Sequence, residues 1–122
     1  VTLVKKVVNT YNASNLMTKT EIYDYGVLSS YNVMDYDGSG RMILVTGYDG
    51  ANAVTGTATY TYNSAGDLAE IHSVASFMGA TMNADVYYLY NTENLLVEIN
   101  STQSMSGITM MTMRVTMTYE AY

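Results

Sequence analysis

A turn motif that recurs at near-constant spacing constrains the fold of this chain more than any other feature. Each complete copy consists of Tyr, Asn or Asp, two small or polar residues, Gly or Asn, one variable residue, and Leu or Met. Four complete copies begin at Tyr11, Tyr36, Tyr62 and Tyr90, and a truncated fifth copy at Tyr119 spans 119–122. Successive tyrosines are 25, 26, 28 and 29 residues apart. Such a period is typical of proteins built from stacked structural repeats.

The chemistry of the motif predicts a tight hairpin turn. The Asn or Asp side chain can accept a hydrogen bond from the backbone two residues on, which starts a turn. Three positions later stand residues that tolerate a positive φ, namely Asn15, Gly40, Gly66 and Asn94. We therefore predict type I turns closed by a left-handed residue, hairpins with a G1 bulge, near 12–15, 37–40, 63–66 and 91–94. The tyrosine ends the incoming strand, and we expect it to be a packing anchor and not a catalytic phenol.

The segments between these turns have the period of β-strands. Val54–Tyr62 and Met111–Tyr119 alternate apolar or aromatic residues with threonine and one arginine, which is the pattern of a strand with one packed face. No segment shows a convincing helical period. Further turns are expected near 25–26, 49–52, 78–79 and 106–107. Together these features predict nine strands, at about 3–11, 16–24, 28–36, 41–47, 53–62, 67–76, 81–90, 95–102 and 108–119.

These predictions describe one all-β domain over residues 1–122, an antiparallel up-and-down meander of hairpin repeats. One face carries Tyr, Met, Val and Leu, and the other is largely Thr, Ser and Asn. A sheet that is apolar on one side has to bury that side. We therefore expect it to be coiled or closed, as a spiral sheet, a sandwich or a barrel.

Two segments, Asp35–Thr46 and Thr59–Leu68, carry a resemblance to a known family. They resemble the RHS/YD repeats of bacterial surface and toxin-associated proteins, whose loose pattern is Tyr-x-Tyr-Asp-x-x-Gly-x-Leu. The resemblance is best over 34–71 and implies a long β-sheet ribbon in an exported protein, with no active site to carry over. A weaker likeness, through Tyr87–Leu96 and Gly40–Gly47, is to cell-wall and glucan-binding repeats, which rely on Trp; this chain has none.

Composition excludes several functions. Charged residues make up only 13% of the chain and the net charge is −6 with five basic residues, so phosphate contacts with nucleic acid are not expected. There is no cysteine, which excludes disulfides and thiolate chemistry. No apolar run is long enough for a transmembrane helix. The low charge and abundant Thr, Ser and Asn favour an extracellular or cell-surface protein, and the first residue, Val1, suggests a processed protein or a fragment.

Catalytic and metal-binding residues are sparse, and the sequence predicts neither an enzyme nor a cofactor or metal site. His72 is the only histidine, and a surface or packing role is expected for it. Asp35–Gly40 imitates the start of a calcium loop, but the twelfth position is Thr46 where a Glu is needed, so that only a weaker calcium site is left open. Glu70 and Glu98 occupy equivalent repeat positions and could lie near each other, as a glycosidase pair would.

The expected function is structural. A meander leaves two strand edges, 1–11 and 108–122, which can pair with another chain. Lys5 and Lys6 guard the first edge, whereas the last has only Arg114 and Glu120. We expect a subunit of an extracellular fibre, or a segment of a larger β-repeat surface or toxin-shell protein, that pairs through these edges or continues into a longer repeat chain. The alternative is a carbohydrate-binding or adhesive module with exposed tyrosines, Tyr25, Tyr31, Tyr48 or Tyr87, as stacking platforms.

Overall fold

The computed structural model describes residues 4–120, and within them the chain is all-β, with no helix. Residues 1–3 and 121–122 lie outside this range, and with them the ends of both predicted edge segments and the second half of the truncated fifth copy. Nine strands follow one another: β1 Lys5–Tyr11, β2 Met17–Asp24, β3 Val27–Tyr36, β4 Met42–Asp49, β5 Val54–Tyr62, β6 Leu68–Phe77, β7 Ala80–Tyr90, β8 Leu96–Met105 and β9 Ile108–Thr116.

The strand order confirms the predicted meander. The strands lie in one sheet in the order β1 to β9, each beside its sequence neighbours. The order ends at β1 and β9, so the sheet is not closed and the barrel alternative does not apply. Strand ends differ from prediction by a few residues. β4 and β8 run to Asp49 and Met105, whereas β9 stops at Thr116.

The repeat turns close as the motif predicts. In the first, the Asn12 Oδ1 accepts hydrogen bonds from the N–H groups of Ser14 and Leu16, both at 3.0 Å. The N–H of Asn15 donates to the Asn12 carbonyl at 3.0 Å, and Asn15 has a φ of 60°. The Asx side chain and the left-handed residue recur in the other turns, at Asp37 with Gly40, Asn63 with Gly66, and Asn91 with Asn94.

Turns at the other end of the strands are of two kinds. Three are two-residue turns with positive φ at both central residues, as a type I′ hairpin requires, namely Tyr25-Gly26, Met78-Gly79 and Ser106-Gly107. The fourth, at Asp49, repeats the Asx turn. The Asp49 Oδ1 accepts the N–H groups of Ala51 and Ala53, each at 2.9 Å, and Asn52 has a φ of 67°. Tyr48–Val54 follows the repeat motif except at its last position, where Val54 stands in place of Leu or Met; the sequence predicts only a turn there.

The chain divides into two compact units, Val1–Ala58 and Thr59–Tyr122. In the first, β1 pairs β2, β2 pairs β3, and β3 pairs β4. In the second, β6 pairs β7, β7 pairs β8, and β8 pairs β9. All of these pairs are antiparallel, and most repeat hairpins show a register shift beside the tyrosine, as at Asp35/Tyr36 and Leu89/Tyr90.

Side-chain burial is slight throughout the described residues. The buried hydrophobic core consists of a single residue, Met34, which is 8% exposed. The remaining apolar side chains are half-buried or exposed, because each strand has neighbours within the sheet while the sheet faces are largely uncovered. The stability of both units therefore depends on the backbone ladder and on side-chain contacts between neighbouring strands.

Candidate functional site

The repeat tyrosines link each repeat to the one before it. The Tyr36 hydroxyl donates to the Met17 carbonyl at 2.7 Å, and the Tyr90 hydroxyl donates to the Leu68 carbonyl at 2.8 Å. Tyr119 makes the same bond, to the Leu96 carbonyl at 2.7 Å. In each case the acceptor is the Leu or Met that ends the preceding motif. The tyrosine is thus a hydrogen-bonded anchor, a role that the motif alone did not indicate.

The electrostatics of this anchor favour its donor form. Desolvation raises the pKa of Tyr90 above the ordinary value of 10.0, and the charge of Asp67 raises it further. The hydroxyl therefore stays protonated to a more alkaline pH than that of an ordinary tyrosine. Neighbouring turns are also tied directly, because Asn94 Nδ2 donates to Asp67 Oδ2 at 2.5 Å.

The outer edge of β9 is the least protected backbone in the described chain. All nine residues of β9 are exposed. The strand has no proline and carries one charge, Arg114, whose guanidinium is paired with Glu98 on β8. Natural proteins usually blunt an edge with several charged side chains, proline or bulges. β9 has only a register shift near its start, opposite Gln103/Ser104, which leaves its remainder regular.

Hydrogen bonding shows which backbone groups of β9 point outward. The N–H of Met117, just beyond the strand, donates to the Val97 carbonyl of β8 at 2.9 Å. Successive residues of a strand alternate in direction, and the register is regular from Met111 to Thr116. The amides of Met111, Met113 and Val115 therefore face β8. Those of Thr112, Arg114 and Thr116 face outward, where another strand can pair with them.

The β1 edge is better guarded. Lys5 Nζ lies 3.9 Å from Asp24 Oδ1, and Lys6 Nζ lies 5.7 Å from the centre of the Tyr23 ring. Both lysines are exposed. A strand arriving at this edge would have to accommodate two ammonium groups, so the two predicted edges are not equivalent and β9 is the more open.

One face of β6–β9 is apolar and uncharged. Cross-strand partners lie on the same side of a sheet, so the registers assign each side chain to a face. We call the side that includes Val86 the apolar face. Its larger members are Ile71, Phe77, Met82, Val86, Tyr88, Ile99, Met105, Ile108, Met111, Met113 and Val115. Between them, small side chains form a shallow trough of about 170 Å³ lined by Ser73, Ala75, Met82, Ala84 and Gln103, together with Asn83.

The opposite, polar face holds every charged side chain of these four strands. Two of its cross-strand rows are Glu70–Tyr87–Asn100–Arg114 and His72–Asp85–Thr102–Thr112. The hydrogen bond from Arg114 lowers the pKa of Glu98, and a second one from Asn100 adds to the effect. The charges of Glu70 and then Asp85 raise the pKa of Tyr87. Most charged side chains on this face are therefore paired with one another and remain in contact with water.

The polar face holds His72 and the two glutamates, Glu70 and Glu98. His72 Nδ1 lies 2.5 Å from Asp85 Oδ1, and Thr102 is the cross-strand partner of Asp85 on its other side. Glu70 and Glu98 lie on β6 and β8, on either side of β7, and they are not in the same cross-strand row, because Glu70 is level with Asn100. Glu98 is already bound by Arg114 and Asn100.

The calcium-like segment uses its carboxylate internally. Asp37 Oδ1 accepts the N–H groups of Ser39 and Arg41 at 2.9 Å, and Oδ2 accepts Arg41 Nε at 2.7 Å. The backbone N–H of Arg41 is the main cause that lowers the pKa of Asp37. Among residues 4–120, no group of three or more acidic, His or Cys side chains is placed to hold a metal ion.

Tyr31 and Tyr48 stack on each other instead of forming open platforms. Their ring centres are 4.6 Å apart with planes 10° from parallel. Lys19 Nζ lies 4.6 Å from the centre of the Tyr31 ring, and the Tyr31 hydroxyl donates to Asn52 Oδ1 at 2.9 Å. Tyr25, at a turn tip, and Tyr87, on the polar face, are the candidate platforms that stay exposed.

No family model matches this chain, and no curated protein matches it significantly. The resemblance to RHS/YD repeats therefore stays a prediction. In the part of the chain that the structure describes, no helix is long and apolar enough to span a membrane.

Proposed function

We propose that this chain is a non-enzymatic structural β-repeat protein whose sheet is extended by pairing at the β9 edge. The strand that completes the ladder comes from another copy, as in a surface fibre, or from a further repeat, as in a larger surface or toxin-shell protein. The observation that carries the proposal is the outward row of Thr112, Arg114 and Thr116 on a fully exposed strand whose only charge is already paired.

Energetics support extension at this edge. An added strand gains hydrogen bonds along the whole ladder and covers side chains that one chain leaves exposed. Its approach at β9 desolvates few charges, since Glu98 already neutralises Arg114.

Location outside the cell is part of the proposal. Its support is compositional: 13% charged residues, no cysteine, and surfaces made of Thr, Ser, Asn and Tyr. The RHS/YD-like pattern of Asp35–Thr46 adds to it.

Sedimentation velocity and negative-stain microscopy of the full chain test the proposal. We expect concentration-dependent association into elongated particles. Thr112→Pro should abolish the elongated particles, because proline removes an outward N–H. Thr112→Ala is the matched control; it removes the side chain, keeps the N–H and should still associate. A chain that stays monomeric at all concentrations, or Thr112→Pro assembling as well as the control, would argue against edge pairing.

Carbohydrate binding is the second candidate, and one observation favours it. Tyr87 is 44% exposed and lies in a cross-strand row with Glu70 and Asn100, an aromatic platform beside polar groups that can bind sugar hydroxyls. Screening on a glycan array tests this function. Loss of a glycan signal in Tyr87→Ala, with the signal kept in Tyr25→Ala, would support it; no signal from the wild-type chain would argue against it.

A further inference from the structure

We infer that the apolar face of β6–β9 is a second self-association surface, which packs against the same face of another copy. The inference goes beyond edge pairing, because it concerns a face of the sheet and not its rim. Two such sheets would lie about 10 Å apart with interdigitated side chains, as in an aligned β-sandwich.

The first argument is area. Phe77 is 64% and Ile108 72% exposed, and Met82, Met111, Met113 and Val115 are exposed as well. These six side chains together expose on the order of 600 Å², the upper end for the largest apolar patch of a typical monomer. The half-buried members of the face, such as Ile71, Val86 and Ile99, add to this. The total approaches the ~800 Å² that each partner contributes to an ordinary stable interface.

The second argument is charge. The four strands β6–β9 carry Glu70, His72, Asp85, Glu98 and Arg114, and the registers place all of them on the polar face. A second copy can therefore cover the apolar face without desolvating a charged group, which would cost several kcal/mol per ion. For a chain with a net charge of −6, this is a surface on which two copies can meet without charge repulsion at the contact.

The third argument is shape. The trough of about 170 Å³ over Ser73, Ala75 and Ala84 is bordered by Met82, and the Met111 side chain lies in the same cross-strand row as Ala84 and Gln103. A face that carries both projecting side chains and a recess can match itself across a two-fold axis. Methionine suits such a contact, because its unbranched thioether adapts to irregular gaps.

Charge substitutions on the two faces of β7 test the inference. The background variant is Thr112→Pro, in which edge pairing is blocked, so that the remaining association comes from the face. In this background, Met82→Lys places an ammonium group on the apolar face, and we expect it to weaken dimerisation about tenfold or more, since an unpaired charge would be buried. Thr81→Lys, the neighbouring residue on the polar face, is the matched control and should change dimerisation less than about twofold. Both variants lower the net negative charge equally, so general repulsion cannot explain a difference between them.

Methionine oxidation gives a second measurement in the same Thr112→Pro chain, independent of whether Met82→Lys folds. Met78 is 91% exposed at a turn tip and serves as the internal reference. We expect Met82 to oxidise more slowly relative to Met78 as the chain concentration rises. A constant ratio, equal weakening by both lysine variants, or a Thr112→Pro chain that stays monomeric would each overturn the face-to-face contact. The edge proposal is judged separately, by the comparison with Thr112→Ala.

Discussion

At the scale of single residues, the hydroxyl of the repeat tyrosine connects neighbouring repeats. In Tyr36, Tyr90 and Tyr119 it reaches back to a carbonyl of the preceding repeat, so that one side chain fixes the spacing between two hairpins. Because the acceptor is a backbone atom, the bond tolerates sequence variation in that repeat, whose acceptor residue is Met17, Leu68 or Leu96.

Removing one of these hydroxyl groups should therefore destabilise a repeat without changing its hydrophobic packing. We expect Tyr90→Phe to lower the free energy of unfolding by about 1 kcal/mol, since the half-buried Leu68 carbonyl loses its donor. Urea unfolding monitored by circular dichroism measures the change. Tyr25→Phe, at an exposed turn tip, is the control and should leave stability within about 0.5 kcal/mol. Equal effects in the two variants would mean that the bond to Leu68 contributes nothing.

Gly38 and Gly50 occupy equivalent turn positions, but we expect their replacement by alanine to have different effects on stability. A Cβ at Gly50 would lie 2.3 Å from the Leu28 carbonyl oxygen, whereas a Cβ at Gly38 would meet no atom within 4 Å. We expect Gly50→Ala to cost about 2 kcal/mol or more, because backbone must move to relieve the overlap, and Gly38→Ala to cost less than about 0.5 kcal/mol. Thermal unfolding compares them. A well-tolerated alanine at Gly50 would contradict the close approach of this turn to β3.

Asp37 makes one turn dependent on pH. Its pKa is lowered below the ordinary value of 3.8 by the Arg41 N–H and side chain, so its contribution to stability is fully present above pH 3.8 and is lost as the pH falls through the lowered value. Asp37→Asn should reduce the loss of stability in acid, because Asn63 and Asn91 close the same turn without a charge. Unfolding measured from pH 6 to about pH 2 checks this; identical profiles for the two chains would contradict it.

Among the elements, β9 differs from every inner strand because only one side of its ladder is filled. Its alternating backbone directions give adjacent residues different roles. The Met113 amide faces β8 and the Thr112 amide faces outward, as the Met117 bond to Val97 and the regular register indicate.

Proline at these two positions should separate the roles. We expect Met113→Pro to destabilise the dilute chain by about 2–3 kcal/mol, because it removes a ladder hydrogen bond inside the sheet. Thr112→Pro should cost less than about 1 kcal/mol, since proline is tolerated where the N–H of an edge strand faces water. Urea unfolding at low concentration makes the comparison. A larger loss of stability in Thr112→Pro than in Met113→Pro would contradict the assignment of the Thr112 amide to the outer edge.

The elements show what a single sequence can and cannot predict. Period-two alternation and the Asx turns were sufficient for nine strands in the right order, because both signals are local. The turn at Asp49 departs from the motif at its last position, where Val54 stands in place of Leu or Met. The tyrosine bonds and the stacking of Tyr31 on Tyr48 depend on cross-strand register, which is set by bulges such as that at Asp35/Tyr36. Strand composition alone does not show these shifts.

At the scale of the molecule, the described chain holds almost no buried core, and its interaction capacity lies at an edge and on a face. The β9 edge offers backbone hydrogen bonds, the apolar face offers burial, and the polar face keeps the charges in water. These three surfaces suit a protein that extends a sheet better than one that binds a substrate in a cleft. They are the basis of the proposed function.

Residue-resolved hydrogen exchange of the full chain, dilute and concentrated, tests the central claim most directly. The amides of Thr112, Arg114 and Thr116 should exchange rapidly in the dilute chain and become protected on assembly, while those of Met111, Met113 and Val115 are protected in both. Assembly that leaves the three outward amides exchanging as fast as in the dilute chain would contradict edge pairing at β9.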